Sequence, residues 1–151
     1  MKKVTVLGIG NILMMDDGIG VYVTEQLQKR INHGKVELVV GESDINFCID
    51  VLEQAEFVVI IDAVRTNKVP GSMTMFPLET LKPHSEQGFS AHNLHLFDFL
   101  YWSDQKLKGT LIGIEPEKIA LHFGLSPMLK EKFDDIVAEI ESYILNLVKS
   151  S

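Results

Sequence analysis

The chain has 151 residues, 46% of them hydrophobic and 23% charged, which suits one soluble globular domain with a sizeable core. No apolar run approaches the ~18 residues of a membrane span, and a net charge of −7 with 14 scattered basic residues leaves no coherent footprint for nucleic acid. A lone Cys48 forbids an internal disulfide, and the short apolar run after Met1-Lys2-Lys3 does not read as a secretory leader, so a cytoplasmic protein is expected.

Strand-like and helix-like segments alternate along the chain. "KKVTVLG" is β-branched and apolar, as a buried strand should be. From Asp17 the pattern turns helical, with Ile19, Val23, Leu27 and Ile31 on one face. "VELVVG" (Val36–Gly41) predicts a second strand, and Asn46–Gln54 a short helix capped by Asp44 or Ser43. "FVVIID" (Phe57–Asp62) is the most continuous apolar run and predicts a central strand covered on both sides.

A turn at "VPGS" leads to "MTMFPL", a further strand; 82–91 reads as a loop. His92–Ser103 predicts a helix burying Leu94, Phe97 and Phe99 or Leu100. "GTLIGI" (Gly109–Ile114) is another strand. The last helix starts at "LSPM", where Ser126 caps and Pro127 suits the first turn. It runs to about Val148 and buries Leu129, Phe133, Ile136, Ile140, Ile144 and Leu147. The fold class that follows is α/β, a three-layer α/β/α domain with a mainly parallel central sheet.

Such sheets hold their ligands at the C-terminal ends of the strands. Three segments with unusual chemistry belong to that edge: "GIGNILMMDDGIG" (Gly8–Gly20), Asp62 at the end of its strand, and "SAHNLH" (Ser90–His95) opening a helix. The first resembles a phosphate loop but fails as one. Leu13 stands where a dinucleotide fingerprint needs its third glycine, no Gly-Lys-Ser/Thr is present, and Asp16 and Asp17 would repel a pyrophosphate. Two aspartates and a histidine converging from separate strand ends instead make an oxygen/nitrogen site for a borderline divalent cation. Asp17, Asp62 and His92 are the candidates. Each has a structural alternative: Asp16 or Asp17 capping the following helix, Asp62 tying down a loop, His92 capping or stacking. Cys48 reads as a core residue, and His84, His95 and His122 have weaker claims, with His95 one helical turn from His92.

At these residues the sequence resembles the hydrogenase maturation proteases, which trim the large subunit of [NiFe] hydrogenases. The similar blocks are "VLGIGNILMMDDGIGV" (Val6–Val21), "IIDAV" (Ile60–Val64) with "PGSM" (Pro70–Met73), "SAHNLHLFDFL" (Ser90–Leu100), and "GIEPE" (Gly113–Glu117) followed by "GLSP" (Gly124–Pro127). The resemblance implies a peptidase whose metal-contacting positions fall on Asp17, Asp62 and His92. It also implies that the nickel is carried by the substrate, the large-subunit precursor, and signals that loading is complete; cleavage then removes a C-terminal extension. Two features depart from the family pattern. Aspartate stands at position 17 where glutamate is common, and "GESD" (Gly41–Asp44) replaces a Gly-Gly-Thr/Ser type of turn.

The chemistry implied is metal-assisted peptide hydrolysis, in which the nickel positions or polarises the scissile carbonyl or activates a water. One aspartate acting as general base, in the manner of an aspartic-type endopeptidase, is the other route. No H-E-x-x-H, Ser-His-Asp order or reactive-looking cysteine supports a conventional protease class. The alternatives are a module that docks the nickel-loaded precursor without cutting it, and a nucleotide-binding regulator.

Overall fold

A computed structural model describes residues 2–81, 91–103 and 106–149, without the side chains of 91–94. Of the loop expected over 82–91, residues 82–90, with His84, lie outside the described residues, as does the side chain of Leu94, while Ala91 already belongs to a helix.

Among the described residues, five strands form one sheet: β1 (Val4–Ile9), β2 (Val36–Glu42), β3 (Phe57–Ala63), β4 (Met73–Pro77) and β5 (Lys108–Ile114), in the order β2-β1-β3-β5-β4. The pairs β1/β2, β1/β3 and β3/β5 are parallel, while β4 runs antiparallel to β5 at the edge. The central strand is β3, as its unbroken apolar run predicts. Pro77 closes β4 at the sheet edge, where its missing N–H breaks no interior ladder.

Among the described residues, four helices cover the sheet: α1 (Ile19–Arg30), α2 (Ile45–Glu53), α3 (Ala91–Trp102) and α4 (Pro127–Lys149). Strand alternation divides the core in two. Val59, Ile61 and Ala63 of β3 face Ile19, Val23 and Leu27 of α1 and Ile136, Ile140 and Ile144 of α4. Val58 and Ile60 face Cys48 and Leu52 of α2 and Leu96 and Phe97 of α3. This is the three-layer α/β/α arrangement. Each fully buried leucine or isoleucine stabilises it by roughly 1.5–3 kcal/mol.

The caps follow local chemistry. Asp44, not Ser43, accepts the N–H of Phe47 (3.0 Å) and starts α2. Ser126 accepts the N–H of Leu129 (3.4 Å) just before Pro127 opens α4. Along α4 the buried stripe includes Val137 and Val148, whereas Phe133 and Leu147 are only partly buried against it. A 3.6-residue period broadens a stripe that strict spacing by three and four would keep narrow.

The helical pattern expected from Asp17 begins later. Met15–Gly18 is a single 3₁₀ turn, and α1 starts at Ile19. Met15 lies in the left-handed region at φ 54°, and the Asp17 N–H donates to Met14 O (3.2 Å), so the tight turn precedes the helix.

Candidate active site

The loop leaving β1 doubles back on itself. Gly10 has φ 137°, and a Cβ there would collide with the carbonyl oxygen of Asp17, so this position requires glycine. Its N–H donates to Glu42 O (2.9 Å), joining the loop to the end of β2. The Asn11 side chain accepts the N–H of Leu13 (2.9 Å), and the Asn11 N–H donates to Asp17 Oδ2 (2.9 Å). Gly20 then lets α1 press onto the sheet, because a side chain there would collide with the carbonyls of Ile61 and Ile9.

The two adjacent carboxylates divide their roles. Asp16 is 0% exposed. It accepts the N–H groups of Glu117 (2.9 Å), Lys118 (3.0 Å) and Ser126 (2.8 Å), none of them in α1. Asp16 is a structural anchor, not a helix cap. Asp17, half-buried, stays in the loop itself.

Asp62 lies at the end of β3, 0% exposed, and its Oδ1 accepts the N–H of Ala63 (2.8 Å). It stands opposite Gly113 in the parallel register with β5. Its strand position shares the parity of Val58 and Ile60, which pack on the α2/α3 layer. β1 and β3 pair up to Gly8 and Ile61, so the loop carrying Asp17 and the residue Asp62 leave one edge of the sheet.

His92 is in the first turn of α3, on the layer that Asp62 shares, but its side chain lies outside the described residues. Among the described residues, no three His, Cys, Asp or Glu side chains form a group able to hold a metal ion. His95 and His122 are exposed. Cys48 is a core residue, as expected.

Two further residues take their meaning from the fold. Glu115, buried just past β5, accepts the Thr66 N–H and hydroxyl (2.7 Å each) and the Lys68 N–H (3.3 Å), and so holds the loop that follows β3. Burial alone would push its carboxyl up, but the Thr66 hydroxyl, the Thr66 and Lys68 N–H groups and the charge of Arg65 hold it below its ordinary 4.5. The "GIEPE" block was the only signal for it, and that block does not reveal the partners. Glu42 is the second. It adopts φ 52°, a left-handed shape that glycine favours, within the "GESD" segment.

The model of the hydrogenase maturation protease family matches residues 21–143. The chain is 29% identical over 144 residues to the hydrogenase 2 maturation protease of Escherichia coli (strain K12), covering 91% of this chain and 88% of that one. The structure superposes on the hydrogenase maturating endopeptidase HybD from E. coli with a TM-score of 0.78 at 28% identity, covering 97% of this chain and 93% of that one. On the [NiFe] hydrogenase maturation protease HybD from Thermococcus kodakarensis it gives 0.73 at 27% identity, with coverages of 95% and 99%. With the loop after β1, the end of β3 and the start of α3 in the order that the family's blocks require, the chain belongs to the hydrogenase maturation proteases and is a peptidase.

Proposed function

We propose that this peptidase removes the C-terminal extension of a nickel-loaded [NiFe] hydrogenase large-subunit precursor, and that Asp17, Asp62 and His92 grip the nickel the precursor carries. The observation that carries this reading is the division between Asp16 and Asp17. Three N–H groups occupy the Asp16 carboxylate inside the protein, while Asp17 is half-buried at the sheet edge that also holds Asp62. Two carboxylates and an imidazole suit a borderline cation. The metal is cargo of the substrate, so two neighbouring carboxylates favour a partner that brings positive charge with it.

Once docked, the nickel would hold the scissile carbonyl and polarise it or a water, with an aspartate as the alternative general base. We take the reaction to be cytoplasmic. Among the described residues no helix is long and apolar enough to cross a membrane.

The test is intact mass spectrometry of the precursor, with and without nickel, after mixing with the wild-type chain or with Asp62→Asn. Loss of one C-terminal peptide, dependent on nickel and absent with a folded Asp62→Asn protein, is expected. Substantial cleavage by that variant would remove Asp62 from the site. No mass change with a loaded, native precursor would favour docking without cutting.

A further inference from the structure

Three large apolar side chains beside the site loop belong to neither core: Leu13, Leu121 and Phe123 are 55%, 84% and 68% exposed. They are distant in sequence but meet through a parallel bridge between Met14 and His122. The His122 N–H donates to Leu13 O and the Met15 N–H to His122 O, each at 2.9 Å. Leu13 and Leu121 flank it on one side, Met15 and Phe123 on the other. The bridge is also braced from below, since Asp16 binds Glu117, Lys118 and Ser126 on either side of 121–123. The apolar loop is therefore fixed to the segment that carries Asp17. Phe123 further borders a cavity of about 320 Å³ with Tyr22, Leu125 and Phe133.

We propose that Leu13, Leu121 and Phe123, with this cavity, form the docking surface for the folded body of the precursor, contacting apolar protein surface around its metal site. This inference rests on the function proposed above. Its occupant follows from distance. One strand spacing, one turn and one residue separate Phe123 from Asp17, at most about 16 Å between Cα atoms. A standard interface buries about 800 Å² per partner, a patch of roughly 16 Å radius. A folded body that presents a metal to Asp17 therefore lies over these side chains. The other occupant, a second copy of this chain, meets a net charge of −7 on each partner, which opposes self-association. Metal contact then supplies selection for the loaded state, and a few apolar side chains supply affinity.

The test is the double variant Leu121→Ser/Phe123→Ser. Both side chains are largely solvent-exposed, so Tm should stay within about 2 °C of wild type. Steady-state cleavage of nickel-loaded precursor should show KM raised about tenfold or more with kcat within twofold, because docking is weakened and the chemistry is not. Binding of the same precursor to the Asp62→Asn chain should weaken equally when the double substitution is added. An unchanged KM in the folded double variant overturns the docking surface and leaves the proposed function standing. A wild-type chain that binds the loaded precursor without cutting it overturns the proposed cleavage, and binding by the double variant still decides the surface. A wild-type chain that neither binds nor cuts overturns both. A wild-type dimer that the substitutions disperse, with KM unchanged, assigns the face to a second copy instead.

Discussion

The carboxylate of Asp16 accepts the N–H of Ser126 at 2.8 Å across 110 residues of sequence, fastening the loop after β1 to the residue that caps α4. Asp16→Ala leaves three N–H groups without their acceptor, that of Ser126 buried and those of Glu117 and Lys118 partly so. A buried N–H left unsatisfied costs about 1–3 kcal/mol and the two partly buried ones less, so a loss on the order of 3–5 kcal/mol is expected. Thermal melting should show Tm falling by about 10 °C, with Asp16→Asn milder because it keeps one acceptor oxygen. A fall of less than about 3 °C would mean that the N–H groups find other partners.

Gly20→Ala forces a methyl group against the backbone carbonyls of Ile9, at the end of β1, and Ile61, within β3. Neither oxygen can rotate aside, so α1 must lift. Overpacking of this kind costs about 1–3 kcal/mol. Cleavage measured well below Tm should fall further than the loss of folded protein accounts for, since the shift separates the Asp17 loop from β3. Wild-type Tm and rate together would contradict that close approach.

Glu115→Gln tests a linkage. The folded carboxyl sits below its ordinary 4.5, so its charge contributes stability that is fully present above that value and is lost as pH falls through the depressed folded value. Denaturant titrations should find the variant less stable than wild type at pH 7. The gap should narrow below about pH 4.5. A gap independent of pH would assign the cost to packing rather than charge.

Cys48 should be inert in the folded chain. Burial first, then the charge of Asp44, pushes its thiol up to about 11, even though it lies in the first half of α2. At pH 8 the thiolate is then scarce, and alkylation by iodoacetamide should run at least about 100-fold slower than for a free thiol. Unfolding in denaturant should restore the ordinary rate. Rapid native labelling would show that α2 opens readily.

How far a sequence reaches is visible in neighbouring residues. The run Phe57–Asp62 is apolar at every position but the last, and that alone marks a central strand with a carboxylate at its end. The spacing of Ile19, Val23, Leu27 and Ile31 likewise marks the face of α1 that is buried. Asp16 and Asp17, by contrast, are chemically identical and adjacent. Nothing local says which one is an anchor, because the N–H groups that decide it come from Glu117, Lys118 and Ser126. "ALHFG" offers apolar residues that a sequence reading cannot separate from core, yet a bridge to Met14 leaves two of them exposed.

By itself, then, the sequence determined the alternation of strands and helices, the three layers, and the sheet edge where Asp17 and Asp62 belong. Hydrophobic period and capping chemistry are local, so they can be read without a fold. Only the tertiary structure decided that β4 runs antiparallel, that Asp16 is consumed as an anchor, that Glu115 holds the loop after β3, and that Leu121 and Phe123 stand beside the loop that carries Asp17. Each of those depends on which distant backbone groups come within hydrogen-bonding distance, and local periodicity carries no information about that.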